Sequence, residues 1–138
     1  MSFEIVRYSS EFQAAVVDLW KKCGLIVPQN DPVEDIQKKL EFQPDLFFVG
    51  LLDSRAVGSI MVGYEGHRGW INYLAVAPEC QKRGYGRMLV QRATHELKKR
   101  GCLKVNLQVR RSNSSAIEFY KHLGFKEDGV ISLGMRLR

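Results

Sequence analysis

Three runs of β-type residues, Leu46 to Leu52, Ala56 to Tyr64 and Trp70 to Val76, are separated only by Asp53-Ser54-Arg55 and by the glycine-containing stretch Glu65 to Gly69. Links this short read as hairpin loops, so the centre of the chain is predicted to be a meander. Helical patterns flank it. On the N-terminal side, Phe3 to Arg7 alternates like a strand, and Ser10 can cap a helix with Phe12, Ala15, Val16, Leu19 and Trp20 on one face, ended by Gly24. Asn30 or Asp31, ahead of Pro32, starts a second helix through Ile36 and Leu40. On the C-terminal side, Gly84 to Arg100 is helical, with Tyr85, Met88, Leu89, Ala93 and Leu97 on one face and cations in its last turn before Gly101. A strand over Leu103 to Val109 follows, then a helix opened by Asn113 or Ser114 and ended by Gly124. Asp128-Gly129 is predicted to turn between two final strands, Phe125 to Glu127 and Val130 to Leu137. The predicted order is β-α-α-β-β-β-α-β-α-β-β, an α/β chain.

With 138 residues and 45% hydrophobic content, residues 1–138 suit one domain with one core. Three cysteines without a CxxC pair, Cys23, Cys80 and Cys102, indicate neither a disulfide framework nor a zinc site, and no metal is expected. The N-terminal segment lacks a signal-like charge and apolar run, and no stretch is long and apolar enough to span a bilayer, so a cytoplasmic protein without membrane partners is expected. The net charge of +6 favours anionic partners. Nucleic acid is not expected among them, because the cations are scattered over helices and turns and no nucleic-acid motif is present. The oligomeric state stays open, with a homodimer compatible with the sequence.

The most distinctive stretch is Glu79-Cys80-Gln81-Lys82-Arg83-Gly84-Tyr85-Gly86-Arg87, two glycines among cations at a strand-to-helix junction. A helix start offers unpaired N–H groups and a positive dipole end, and small residues let those amides close on a phosphate. A Rossmann reading fails for want of a third glycine, and a P-loop for want of GKS or GKT. Taken alone, the stretch reads first as an ordinary strand-to-helix turn with solvated cations.

Its context is more specific. Tyr73-Leu74-Ala75-Val76-Ala77-Pro78 followed by Gln81-x-x-Gly84-x-Gly86 resembles the strand and [Q/R]-x-x-G-x-[G/A] loop of the GNAT superfamily of acyl-CoA-dependent N-acyltransferases. The segment Asn113 to Phe125 resembles that family's second signature, N-x-x-A-x-x-x-Y-x-x-x-G-F. Gly63-Tyr64-Glu65-Gly66-His67-Arg68-Gly69 also looks like the YpeA-type bacterial subgroup. The resemblance implies a mixed, mostly antiparallel sheet of six to seven strands flanked by about four helices. It implies acetyl-CoA as donor substrate and an amine-bearing small molecule or peptide as acceptor, joined by direct transfer in a ternary complex.

By the same resemblance, the fourth strand splays from the fifth after a β-bulge. Pantetheine then pairs with the edge Leu74, Ala75 and Val76, and the turn Gln81, Lys82, Arg83, Gly84, Tyr85, Gly86 and Arg87 holds the pyrophosphate. Asn113 matches a position that contacts pantetheine, although it also reads as a plain helix cap. Tyr120, two turns further along that helix, matches the general acid that protonates the departing thiolate; its alternative is a core aromatic. Direct transfer makes Cys80 and Cys102 dispensable. The general base is the weakest assignment, because Trp70-Ile71-Asn72-Tyr73-Leu74 carries no acid where many relatives have one. Glu65, or failing it His67, is the nearest candidate, each equally readable as a solvated loop residue. Neutralising a lysine near pH 7.4 costs roughly 4 kcal/mol and an α-amine under about 1 kcal/mol, so some acceptors need no strong base. Trp70, Asn72 and Tyr64 are candidates for shaping the acceptor pocket. A catalytically silent acyl-CoA sensor of the same fold is the competing function.

Overall fold

The computed structural model describes residues Ser2–Arg138. Strands β1 (Phe3–Arg7), β2 (Phe47–Leu52), β3 (Arg55–Tyr64), β4 (Gly69–Val76) and β5 (Val105–Asn106) form one sheet in sequence order. The first four pair antiparallel, so the expected meander is present. The last pair is parallel and consists of Gly69↔Val105 and Trp70↔Asn106. Four helices accompany the sheet: α1 (Gln13–Lys22), α2 (Pro32–Glu41), α3 (Tyr85–Lys99) and α4 (Ser114–His122). The chain divides into two compact units, the first ending at Leu107 and the second comprising Gln108–Arg138.

In the first unit the core lies on both sides of the sheet. Val16, Leu19 and Trp20 of α1 and Ile36 of α2 pack with Phe47, Val49, Val57 and Ala75. Leu89, Val90, Ala93 and Leu97 of α3 are buried too, and α3 packs against β3 and β4. Its approach explains two glycines: a Cβ on Gly58 would lie 2.9 Å from Leu89, and one on Gly69 would lie 2.8 Å from Leu97. Because both faces are covered, the strands read as nearly continuous apolar runs.

Helix α2 starts as the sequence implies. The Asp31 carboxylate accepts from the N–H groups of Val33 and Glu34 at 3.0 and 3.2 Å, with Pro32 in the first turn. At α1 the expectation is corrected: Ser10 sits inside a 3-10 turn, Ser10–Phe12, closed by Phe12 N–H on the Ser9 carbonyl at 3.0 Å, and caps nothing.

The sheet has five strands among the described residues, not six to seven. The strand expected over Leu103 to Val109 is realised only at Val105–Asn106, and Leu103 is 95% exposed. Neither Phe125 to Glu127 nor Val130 to Leu137 forms a strand, and Ile131, Leu133, Met135 and Leu137 are all exposed. Alternation supplies a face, but a strand exists only where a neighbour takes up its N–H and C=O groups.

The decisive irregularity is in β4. Ser59 pairs with Ala75, yet Met61 pairs with Asn72, so Tyr73 and Leu74 together oppose Ile60. This is a β-bulge, and Tyr73 takes φ +51°, a left-handed value uncommon for a bulky residue. Three interactions hold it. The Tyr73 ring stacks on Trp20 with centroids 3.8 Å apart. Its hydroxyl donates to Asp35 Oδ2 at 2.6 Å. Its carbonyl accepts from Ser59 Oγ at 3.2 Å, while Ser59 Oγ accepts from Trp20 Nε1 at 2.9 Å.

Ser59 is fully buried, so Ser59→Ala leaves an indole N–H and a carbonyl without their partner. The expected loss is about 1–3 kcal/mol of unfolding free energy, measured by urea titration. Lys39 supplies a second test. It is only 8% exposed and donates to the Val62 carbonyl, with no carboxylate paired to it among the described residues. Burial, aided by the Arg100 charge, lowers its pKa from 10.5 to about 8. Between those values the unfolded chain holds a proton that the folded chain has lost, so this group raises stability as pH climbs from 8 to 10.5. Lys39→Met is expected to remove that rise, seen as the wild-type minus variant difference in unfolding free energy across the window.

Candidate active site

The glycine-containing turn connects the end of β4 to α3. A 3-10 turn, Pro78–Cys80, leads to Gln81 in extended geometry, Lys82 at φ +64° and Gly84 at φ +88°, the residue before α3. A Cβ on Gly84 would meet nothing within 4 Å, so glycine is favoured there by its backbone angle and not by crowding. Having no side chain, Gly84 cannot cap α3, and the first amides of that helix keep their unpaired N–H character. Lys82, Arg83 and Arg87 are exposed around this helix start. Gln81 Nε2 donates to the Val76 carbonyl at 3.0 Å, which fastens the turn to the end of β4. Tyr85 contributes packing: its ring stacks on Phe3 at 4.1 Å.

The other half of this arrangement is the edge of β4. Since β5 pairs only with Gly69 and Trp70, the outer edge beyond the bulge, Leu74 to Val76, has no strand beside it among the described residues of the first unit. The bulge, the open edge and the glycine turn therefore follow one another along the chain.

A cavity of ≈ 600 Å³ opens on the other side of the bulge, lined by Asn30, Asp35, Lys38, Lys39, Asn72 and Tyr73 among others. Of the residues considered for an acceptor pocket, Asn72 lines it. Tyr64 instead ends β3, where its hydroxyl donates to the Gly66 carbonyl of the following loop at 3.1 Å and its N–H to Gln43 Oε1 at 2.8 Å. Glu65 is fully exposed and turned into the same loop, accepting from the N–H groups of His67, at 2.7 Å, and Arg68. Those bonds hold its carboxyl below the usual range, which makes it a poorer base. His67 is exposed beside Arg68. Asp35 was not singled out from the sequence. Its signal is faint: an acid one turn before Lys39, flanking the buried Ile36 on α2.

The second unit, taken by itself, carries Asn113 and Tyr120 on α4. Asn113 is the N-cap, its side chain accepting from the Ala116 N–H at 3.2 Å. Tyr120 meets Phe119 and Phe125 edge-to-face, at 5.1 and 5.5 Å. Burial pushes its phenol up to about 12. Among the described residues, no group of three or more His, Cys, Asp or Glu gathers as a metal site, and no helix is long and apolar enough to cross a membrane.

The chain is similar to known acetyltransferases in sequence and fold. An acetyltransferase of Pectobacterium atrosepticum is 44% identical over 134 residues, covering 97% of this chain and 95% of its own. The PaiA N-acetyltransferase of Thermoplasma acidophilum, solved in complex with coenzyme A, superposes with a TM-score of 0.72 at 25% identity, covering 94% of both chains. The ribosomal-protein-S18-alanine N-acetyltransferase of Escherichia coli shares the fold, with a TM-score of 0.80 at 24% identity over 91% of this chain and 79% of its own. The model of the acetyltransferase (GNAT) family matches residues 13–125, and the chain belongs to that family.

Proposed function

We propose that the protein moves an acetyl group from acetyl-CoA to a primary amine by direct transfer within a ternary complex. The observation that carries this reading is the bulge at Tyr73, which leaves the edge Leu74 to Val76 open immediately before a cation-rich helix start. Pantetheine, with two amides in an extended chain, is suited to such an edge. The pyrophosphate is suited to the first amides of α3, with Lys82, Arg83 and Arg87 neutralising it. An N–H of the open edge would polarise the thioester carbonyl as charge develops on its oxygen. The family match runs from residue 13 to 125 and so draws on both compact units, which supports treating residues 1–138 as one acetyltransferase domain. The loop Gly63 to Gly69 supports placement near the YpeA-type subgroup.

In this reading the amine nitrogen attacks the thioester carbon, the C–S bond breaks, and the sulfur takes up a proton. Tyr120 is assigned to the sulfur and Asn113 to pantetheine. With its pKa at about 12, the Tyr120 phenol stays protonated across neutral pH and is always available as a donor. A thiol titrates near 8.5, so full transfer from the phenol runs uphill; Tyr120 acts mainly by hydrogen bonding to the developing thiolate, with the net proton coming from the amine.

Two variants test the placement. Gly86→Glu puts a carboxylate in the first turn of α3, where it favours the helix but opposes a pyrophosphate. The expected result is a cooperative fold of unchanged or higher stability and acetyl-CoA affinity at least about tenfold weaker by calorimetry; unchanged affinity places the cofactor elsewhere. Tyr120→Phe keeps the ring and its two edge-to-face contacts. Turnover is expected to fall about 10²- to 10³-fold with cofactor affinity nearly unchanged, the size of one lost donor at a reacting centre. Full turnover with chemistry rate-limiting returns Tyr120 to a packing role.

A further inference from the structure

Helix α2 carries two acid–base pairs at the same spacing and in the same order, and only one of them is closed. Glu34 and Lys38 meet at 3.1 Å, as Asp18 and Lys22 do on α1. Asp35 and Lys39, also one turn apart, form no ion pair; Asp35 Oδ2 takes the Tyr73 hydroxyl and Lys39 Nζ takes the Val62 carbonyl. Both partners are neutral. The two charges line the same cavity, and Lys39 is a nearly buried cation with no counter-ion among the described residues. A buried charge without a partner is costly, and a ligand carboxylate would relieve that cost. Side chains one turn apart stand about 5–6 Å from each other at Cβ, so one small molecule with both charges can touch both.

Resting on the acetyl-transfer reading above, we propose that this cavity selects a zwitterionic acceptor of the amino-acid class, Asp35 holding its ammonium and Lys39 its carboxylate. The Tyr73 hydroxyl fixes Asp35 beside the bulge, so the held nitrogen lies next to the residues that open the edge Leu74 to Val76. Asn72 and Asn30, also in the lining, offer amides for the rest of the molecule. Polycations fit poorly, since Lys38 and Lys39 both face the cavity; simple amines leave Lys39 unmatched. The reaction balances as one N–C bond formed and one C–S bond broken. Of the three ammonium protons, one stays on the amide, one ends on the CoA sulfur and one goes to solvent.

The test is free-thiol release from acetyl-CoA with the common L-amino acids, each beside its carboxamide, and with spermidine and kanamycin as polycations. The carboxamides are the more reactive nucleophiles at neutral pH because their amines titrate lower, so a preference for the free acids must come from the site. At least one free acid is expected to exceed its carboxamide at least tenfold in kcat/KM. Lys39→Met is expected to lower that acid-to-amide ratio at least tenfold. Asp35→Asn, which keeps a partner for the Tyr73 hydroxyl, is expected to raise KM for the acid with acetyl-CoA affinity unchanged. Carboxamides or polycations preferred to the acids, or a ratio unmoved in Lys39→Met, overturns the zwitterion assignment and leaves the transferase reading standing. Acetyl-CoA bound but no thiol released by any compound overturns both.

Discussion

A tyrosine held in a left-handed conformation is the constraint on which the remainder of the first unit depends. Such a residue costs of order 1–3 kcal/mol and persists only where its surroundings over-determine it. Here they do so three times over: ring on Trp20, hydroxyl on Asp35 and carbonyl on Ser59. The extra residue reverses the facing of β4 in mid-strand. Gly69 lies against Leu97 of α3, whereas Ala75, which simple alternation would put on the same face, packs with Val16 and Trp20. One strand thereby serves two cores and parts from its neighbour just where an open edge is useful.

How much of this was legible follows from how local each cause is. The meander, the Asp31–Pro32 start of α2 and the end of α3 before Gly101 rest on alternation, caps and breakers within a few residues, and all are found in the structure. The glycine turn was legible for the same reason, because φ at Gly84 is a property of its own backbone. The final strands were not. Ile131, Leu133, Met135 and Leu137 alternate as a strand should, but alternation does not specify a partner. The Tyr73 clamp was hidden by distance along the chain: Asp35 lies 38 residues away, and the Ser59–Trp20 bond spans 39. Glu65 misled in the opposite sense, since a carboxylate two residues before an N–H is as ready to fold its own loop as to serve a substrate.

Some of the positive charge is paired and some gathers at the glycine turn. Lys22, Lys38, Lys99 and Arg100 each meet a carboxylate, so their charges are locally balanced. Lys82, Arg83 and Arg87 have no such partner among the described residues, and they surround a helix start that carries no side-chain acid in its first turn and no side-chain cap. A field of one sign focused on exposed amides favours a multiply charged, compact anion over a long uniform one such as a nucleic-acid backbone.

The contrast within α2 follows from competition for the same side chains. Glu34 and Lys38 close into an ion pair at 3.1 Å. On the inner side, Asp35 and Lys39 each find a neighbour on the sheet within reach: the Tyr73 hydroxyl that the bulge requires for one, and the Val62 carbonyl of β3 for the other. Each charge is thereby turned toward a neutral partner on the sheet. The residue at the bulge of β4 is thus also the one that orients the acid of the adjoining cavity. The open edge and the separated charges meet at one residue, Tyr73.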